Sequence, residues 1–524
     1  MTTPYLVTAR ATLSEPGLRL ARFVGDAPTP GVGLALSGGG TRAAVTALGV
    51  IRGLRTLGRF RAVRAISAVS GGAWFSVPFS FLPDRFDEEQ FLGEHIVEPA
   101  ALRWRELDVA PTSFAGAAGC YEIGARGLLR GMFKDRSAGV PGHRVWTRRV
   151  AEPLLEPFGL ASFAEDFTPT DFFAQDAAAE AAIRDENPAL AGFSCHRVRV
   201  SEAIPRPFLI VGGALRVVKG DSEVLAPVQF TTRFSGVMGR DCGALGGVAV
   251  GGGGVSSYAF NGAWESGPQA SMRIRQRAPL ALSDVIGISS VYYGDALGDR
   301  GINDYSPTLT YASPLWQPPA GAEGVFVDGG SVENTGVANL LSYGDIDRVI
   351  AVVSSPDPIT RRAGAVVVER QVGALFGYRE YNREHGGYCR YEDPGEGNPD
   401  YGENQVFADD RGEFLALTEA MGAREAAGEP IVVEQTLRVV DNPKYAVVGG
   451  RRVRVLWVFL SPSARWRRLL HPSVRLILPP SFPNIPTAVT RPPAEHISAL
   501  AQFAGWAIEQ NAPAVERIFA DASP

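Results

Sequence analysis

The sequence predicts an α/β fold with a mostly parallel central sheet, and two stretches close together in the chain predict it. Residues 32–36, VGLAL, are a short apolar run that ends in Ser37-Gly38-Gly39-Gly40. Val45, Leu48, Ile51 and Leu54 then follow at three-residue steps, the spacing of one helix face. Residues 62–69 form a second apolar run, which reaches Ser70-Gly71-Gly72 and passes straight into another apolar stretch with Trp74 and Phe75. Strand, small-residue turn and helix are thus spelled twice. Turns at the carboxyl ends of successive parallel strands share one rim of the sheet, where open α/β sheets place their sites.

Each turn has its own chemistry. The first leaves backbone N–H groups of Gly38, Gly39 and Gly40 at a helix N-terminus, where hydrogen bonds and the helix dipole stabilise a negative oxygen. The second presents Ser70 in a strand-to-helix elbow, with Ala68, Gly71 and Gly72 small enough for a tight backbone. Together they supply a nucleophile and an oxyanion hole. A serine hydroxyl does not ionise unaided near neutral pH, so a base is required from elsewhere in the chain.

The run LSGGGTR at residues 36–42, followed by SAVSGGAW at 67–74, resembles the catalytic domain of cytosolic phospholipase A2 and lysophospholipase, within the wider patatin-like superfamily. The resemblance implies a three-layer α/β/α sandwich with helical cap insertions and a Ser–Asp dyad. VFVDGGSVEN at 325–334 resembles the family's Asp-Gly/Ser-Gly segment and nominates Asp328 as the base for Ser70. The implied activity is hydrolysis of fatty-acyl esters of phospholipids or lysophospholipids through an acyl-enzyme, without metal or organic cofactor. A transacylase would share the first half-reaction.

Arg42 matches the arginine of the family's Ser-Gly-Gly-Gly-x-Arg motif. Its fork suits a substrate phosphate, and the competing reading is a structural arginine paired with an acid. The family's second arginine, downstream of the aspartate, is not carried over, because the nearest candidate, Arg348, opens a strand. Ala68 stands where the family usually has glycine. Residues 224–237 resemble the family's strand ending in Phe-Thr-Pro, with Thr232 in place of the proline. Residues 282–293, LSDVIGISSVYY, resemble a helix with a Ser-Ser pair near the acyl pocket, or read as a packing helix. Residues 481–487, SFPNIPT, and the helix through Trp506 resemble the family's C-terminal end.

If Ser70 and Asp328 share a pocket, the residues between them belong to one domain, so the 524 residues read as a single catalytic domain with cap insertions around 84–205 and 356–450. Residues 1–30 read as a leading strand with linker prolines Pro28 and Pro30. Further buried strands are expected at 207–213, 347–354 and 453–460, and an amphipathic helix opens at 140–146. The glycine-dense stretch 246–254 lacks the Gly-Lys-Ser/Thr ending of a phosphate loop and reads as structural. Residues 391–413 are acidic and turn-rich without EF-hand spacing, and read as a solvated loop.

Cys120, Cys195, Cys242 and Cys389 lie far apart with no Cys-x-x-Cys pair, which fits a reducing, cytoplasmic setting rather than a metal site. No run of about 18 apolar residues, the length of a membrane span, appears, and the N-terminal residues lack a secretory signal pattern. A net charge of −5 gives no general attraction to nucleic acid or anionic membranes. Membrane contact is expected to be peripheral, through the cap helices. Arg52, Arg55, Arg59, Arg61 and Arg64 gather in a stretch free of acids, read as a solvated helix face or a lipid-facing patch.

Three rival readings stay open on sequence. Gly38-Gly39-Gly40-Thr41-Arg42-Ala43 also fits the dinucleotide fingerprint, although no acid lies about twenty positions on; the arginines would suit the 2′-phosphate of NADP. A Ser-His-Asp hydrolase could draw on His385, His471 or His496, none of which sits in a recognisable loop motif. The last rival is a binding module that kept the fold without the chemistry.

Overall fold

Val32–Leu36 is buried at every position, as an apolar strand is when it has neighbours on both edges and cover on both faces. A computed structural model of the chain describes residues 3–15, 17–25, 31–107, 109–120, 131, 134–135, 137–201, 204–292, 305–392 and 399–520. In it Val32–Leu36 pairs in parallel with Val63–Val69 on one edge and with Arg348–Val353 on the other. Phe208–Lys219 and Arg452–Phe459 extend this parallel centre to five strands. The three later strands are those expected at 207–213, 347–354 and 453–460.

Antiparallel strands widen both flanks. Ile431–Arg438 closes one side, and Ser222–Thr231, Phe234–Val237, Gly253–Ser256 and Ala11–Leu13 follow in turn on the other. The sheet therefore has a parallel centre and mixed edges, with fourteen strands among the described residues. The register of Phe208–Lys219 matters most. Ser222–Thr231 occupies one of its edges from Ile210 to Lys219. Its other edge takes Val63–Val69 as far as the Val69–Gly212 pair, and Ala322–Val327 from the opposite direction as far as the Val327–Ala214 pair. Two strands thus end head to head against one edge. The residues that leave them, Ser70 and Asp328, meet beside Gly213.

Helix Gly40–Thr56 covers the sheet together with Ala494–Glu509. Their axes approach through glycine: a Cβ on Gly49 would run into the Ala501 carbonyl, and one on Gly53 would lie 2.6 Å from the carbonyl of Gly505. Helix Gly71–Phe81 is buried at every residue. Between Phe81 and Phe208 lie helices Glu88–Leu92, Gly142–Leu154 and Ala177–Glu186 and the parallel pair Asp171–Ala174 with Ser194–Arg197. Gly142–Leu154 docks on Leu282–Ser289, where the Trp146 indole donates to the Gly287 carbonyl at 3.0 Å. Between Val353 and Ile431 lie helices Arg370–Ala374 and Glu413–Ala426. Ile431–Arg438, inside the stretch 356–450 expected as an insertion, is an edge strand of the main sheet.

Tyr5–Ala9 is the expected leading strand, but it joins Met272–Gln276 and Gly262–Ser266 in a separate three-stranded sheet; Pro28 and Pro30 lie outside the described residues. In the glycine-dense stretch, Gly246 and Gly247 turn a hairpin with φ of 59° and 81°, so its role is structural. Residues 401–409 are mostly buried rather than solvated, and part of that acidic loop, 393–398, lies outside the described residues. The arginine row is also not a solvated face throughout. Arg52 is buried and donates to the Leu92 carbonyl, with its pKa lowered by burial to about 10. Arg55 and Arg59 pair with Glu89 and Glu516. Among the described residues no helix is long and apolar enough to cross a membrane.

The glycine crossing gives a test of the packing. In an open helix Gly49→Ala would gain about 1 kcal/mol from propensity; here the added Cβ forces the two backbones apart, and overpacking of this kind costs about 1–3 kcal/mol. A net fall in the denaturation midpoint is expected.

Candidate active site

Ser70 follows the last residue of its strand and caps helix Gly71–Phe81, with φ 50° and ψ −118°, a conformation that few residues other than glycine adopt. Such strain persists only where the surroundings over-determine it. The surroundings here are specific. The Ser70 N–H donates to Ser289 Oγ at 2.9 Å, and Ser289 in turn donates to the Gly212 carbonyl at 2.6 Å. A Cβ on Gly71 would lie 2.5 Å from the Gly40 nitrogen, so the serine elbow and the first glycine turn touch backbone to backbone.

The Ser70 hydroxyl donates to Asp328 Oδ2 at 3.2 Å, across 258 positions of chain. Asp328 follows strand Ala322–Val327, and its Oδ1 accepts the Gly330 N–H at 2.7 Å. That bond leaves Oδ2 turned to the serine. Ser70 is 9% and Asp328 3% exposed. In so dry a setting a carboxylate–hydroxyl contact is stronger than it would be in water.

Of the three glycines expected to cradle an oxyanion, Gly38 is corrected. Its N–H already donates to the Asn334 carbonyl at 3.0 Å, and its Cα faces the Ser70 side chain. Gly38 ties the aspartate turn to the glycine turn instead. Gly39 and Gly40, with φ of 135° and 60°, stand at the start of helix Gly40–Thr56, where N–H groups lack intrahelical acceptors.

Arg42 is corrected too. It is 2% exposed, and its guanidinium donates to the carbonyls of Ser354 and Ile485 and to the Thr487 hydroxyl. Burial lowers its pKa to about 10. The fork is spent on fastening residues 485–487 across the start of the helix, so it cannot also grip a phosphate, and its partners are carbonyls rather than an acid. Arg348 lies at the other rim, at the beginning of its strand, and donates to the carbonyls of Ile518 and Ala520. His471 bonds to Ser473 and His496 to the Ile477 carbonyl, so neither is bonded to Ser70. His385 lines a polar cleft of about 1000 Å³ with Ser355, Asp357, Glu369 and Arg370.

Two residues were missed on sequence. Ser289 belongs to the Ser-Ser pair, yet its role is to hold the elbow's amide. Gln371 accepts the Asn334 N–H and donates to the Gly330 carbonyl at 3.0 Å and to Tyr401 Oη at 2.8 Å. It braces both ends of the turn that carries Asp328. No local signal marks it.

No family model and no curated protein matches the chain. Among solved structures it is similar to human GIVD cytosolic phospholipase A2, at 13% identity and a TM-score of 0.44 over 94% of this chain and 60% of that one. The same human protein in complex with methyl gamma-linolenyl fluorophosphonate gives 11% identity and a TM-score of 0.45, over 95% and 61% of the two chains. This chain thus spans about three fifths of the length of those structures.

Two outcomes follow from the site. Arg42→Met should lower unfolding free energy by at least about 2 kcal/mol, since it leaves buried carbonyls without donors. Glu369, which caps the helix carrying Gln371 by accepting its N–H at 2.9 Å, has its carboxyl pushed by burial from 4.5 to about 7. The folded state then holds a proton that the unfolded chain has lost, so this group's contribution to stability is full below about 4.5 and falls away up to about 7. Glu369→Gln should remove that fall, and thermal midpoints of variant and wild type should diverge as pH rises through this window.

Proposed function

We propose that the chain is a serine acyl hydrolase that cleaves fatty-acyl esters of phospholipids or lysophospholipids through an acyl-enzyme. The hydrogen bond from Ser70 to Asp328 Oδ2, made on a strained elbow against a glycine turn, carries the reading. Asp328 accepts the hydroxyl proton as Ser70 Oγ attacks the ester carbonyl. The oxyanion is held by the Gly39 and Gly40 amides at the helix N-terminus. The carbonyl re-forms, the alcohol leaves with the proton from Asp328, and the acyl group stays on Ser70. Water gives its proton to Asp328 and attacks the acyl carbonyl; Ser70 leaves as the fatty acid departs and recovers the proton. An alcohol in place of water makes the same sequence an acyl transfer. These steps need neither metal nor organic cofactor.

The dinucleotide reading fares worse against the same geometry. A pyrophosphate would have to sit at the start of helix Gly40–Thr56, where the backbone of Gly71 touches Gly40 and Thr487 lies close by. Cys195, Cys242 and Cys389 are free thiols, which fits a reducing compartment such as the cytoplasm; the Cys120 side chain lies outside the described residues. Contact with lipid would be peripheral.

An active-site serine probe should label wild type and not Ser70→Ala. Asp328→Asn should lower turnover of an acyl ester by about 10²–10⁴ while folding is retained, the range for loss of a general base. Labelling that persists in Ser70→Ala removes Ser70 as nucleophile. Tight retention of NADP without labelling would favour the nucleotide reading.

A further inference from the structure

The chain leaves the carboxyl end of strand Arg452–Phe459 and makes an excursion through the short helices Ala464–Leu469 and Pro472–Arg475 before helix Ala494–Glu509. It returns to the same rim on the way. Asn484 Nδ2 donates to the carbonyls of Ser355 and Leu460, which stand just beyond the carboxyl ends of two central strands. Ile485 and Thr487 then receive Arg42, and the Thr490 carbonyl accepts from Thr41 Oγ1 at 2.8 Å. Residues 484–490 of the excursion therefore lie on the rim that carries Ser70 and the glycine turn, while helix Ala464–Leu469 packs against Phe503 and Trp506 of helix Ala494–Glu509.

Its composition departs from the rest of the chain. Residues 464–494 hold five arginines and no aspartate or glutamate, in a protein of net charge −5. Arg465 is taken by Glu429, and Arg467 by the carbonyls of Leu478 and Pro479. Arg468, Arg475 and Arg491 are exposed and, among the described residues, meet no carboxylate. Beside each stands an exposed apolar side chain: Leu469 next to Arg468, Leu476 and Ile477 next to Arg475, and Val489 two residues before Arg491. Leu476 is 84% exposed.

We infer that this excursion is a docking surface for an anionic lipid bilayer, setting the site's rim against the membrane. The occupant follows from the pairing of two features. Free arginines are drawn to the negative surface of an anionic leaflet, and apolar side chains beside them gain by entering the headgroup–acyl boundary. A nucleic acid or an acidic protein would satisfy the charges and leave Leu476 in water. The other arginine-rich region does not compete, since Arg55 and Arg59 are paired and lie at the far end of helix Gly40–Thr56 from the site. Docking here puts contact on the C-terminal excursion rather than the cap helices. The inference rests on the acyl-hydrolase reading for its purpose, not for its chemistry.

The test is co-sedimentation of the full chain with phosphatidylcholine vesicles, with and without phosphatidylserine, beside hydrolysis of a water-soluble short-chain ester. Wild type should bind more tightly when phosphatidylserine is present. Each arginine near an anionic surface is worth about fivefold, so the R468Q/R475Q/R491Q variant should lose on the order of 100-fold of that binding. L476S/I477S should weaken binding to both vesicle types. All these side chains are exposed, so thermal midpoints and short-ester turnover should be unchanged. Equal binding by the triple variant and wild type, or tighter retention on duplex oligonucleotide than on vesicles, overturns the surface even where ester hydrolysis is intact. Arginine-dependent vesicle binding by a chain that hydrolyses no ester keeps the surface and removes the dyad reading.

Discussion

The structure turns on one edge of strand Phe208–Lys219. Two strands end on it from opposite directions, Val63–Val69 at Gly212 and Ala322–Val327 at Ala214, and the residues that leave them face each other. A polypeptide cannot hold a serine and an aspartate in contact across such a span by local means, because closing so long a loop is costly and must be offset by long-range pairing. Here the strand ladders do it. The final adjustment comes from backbone packing that only glycine permits: Gly329 lies against the Gly212 carbonyl, Gly71 against Gly40, and Gly72 against the Leu36 carbonyl. A side chain at any of these positions would push the turns apart by more than the tolerance of a hydrogen bond.

That geometry also explains how the strained serine is held. Fixing a residue in such a conformation costs about 1–3 kcal/mol. Ser289 offsets part of it by accepting the Ser70 amide, and it is itself held by the carbonyl of Gly212, the residue against which Gly329 packs. The elbow and the aspartate turn therefore share a support. Gln371 braces the other side of the aspartate turn, joined to Gly330, Asn334 and Tyr401. A displacement at either support moves both members of the pair.

How much of this the sequence carried depends on how far each interaction reaches along the chain. The two glycine turns and the Asp-Gly-Gly segment are local patterns, since strand periodicity and turn chemistry sit within a few residues, and the central strands could be placed from them. Of the antiparallel flanks only 224–237 was read as a strand, and that on the resemblance; short flank strands such as Phe234–Val237 lie beside no turn motif and, buried at each position, show no alternation to read. The site's errors have the same origin. Gly38 looks like its two neighbours until Asn334 arrives to take its amide, and Arg42 looks like a phosphate fork until Ser354, Ile485 and Thr487 surround it. Gln371 sits in an ordinary helical turn, and its importance exists only in three dimensions. A motif names the residue types a site needs. It does not say which hydrogen-bonding groups the rest of the fold has already used.

The arginines make the same point about charge. Arg42, Arg52 and Arg348 are buried and bind main-chain carbonyls, so each acts as a structural tie whose charge is masked from any ligand. Arg55 and Arg59 meet carboxylates at the surface, where exposed pairs contribute little to stability but cancel the local field. Arg468, Arg475 and Arg491 have neither burial nor, among the described residues, a carboxylate, and they belong to the excursion that returns to the serine's rim at residues 484–490. The same residue type therefore does three different jobs, chosen by what reaches it. A net charge below zero hides this, since attraction to an anionic surface depends on charges within a Debye length of that surface and not on the sum over the chain. With the Arg42 fork closed to solvent, its charge offers nothing to an anionic surface, and the exposed arginines of the excursion are the ones free to meet one.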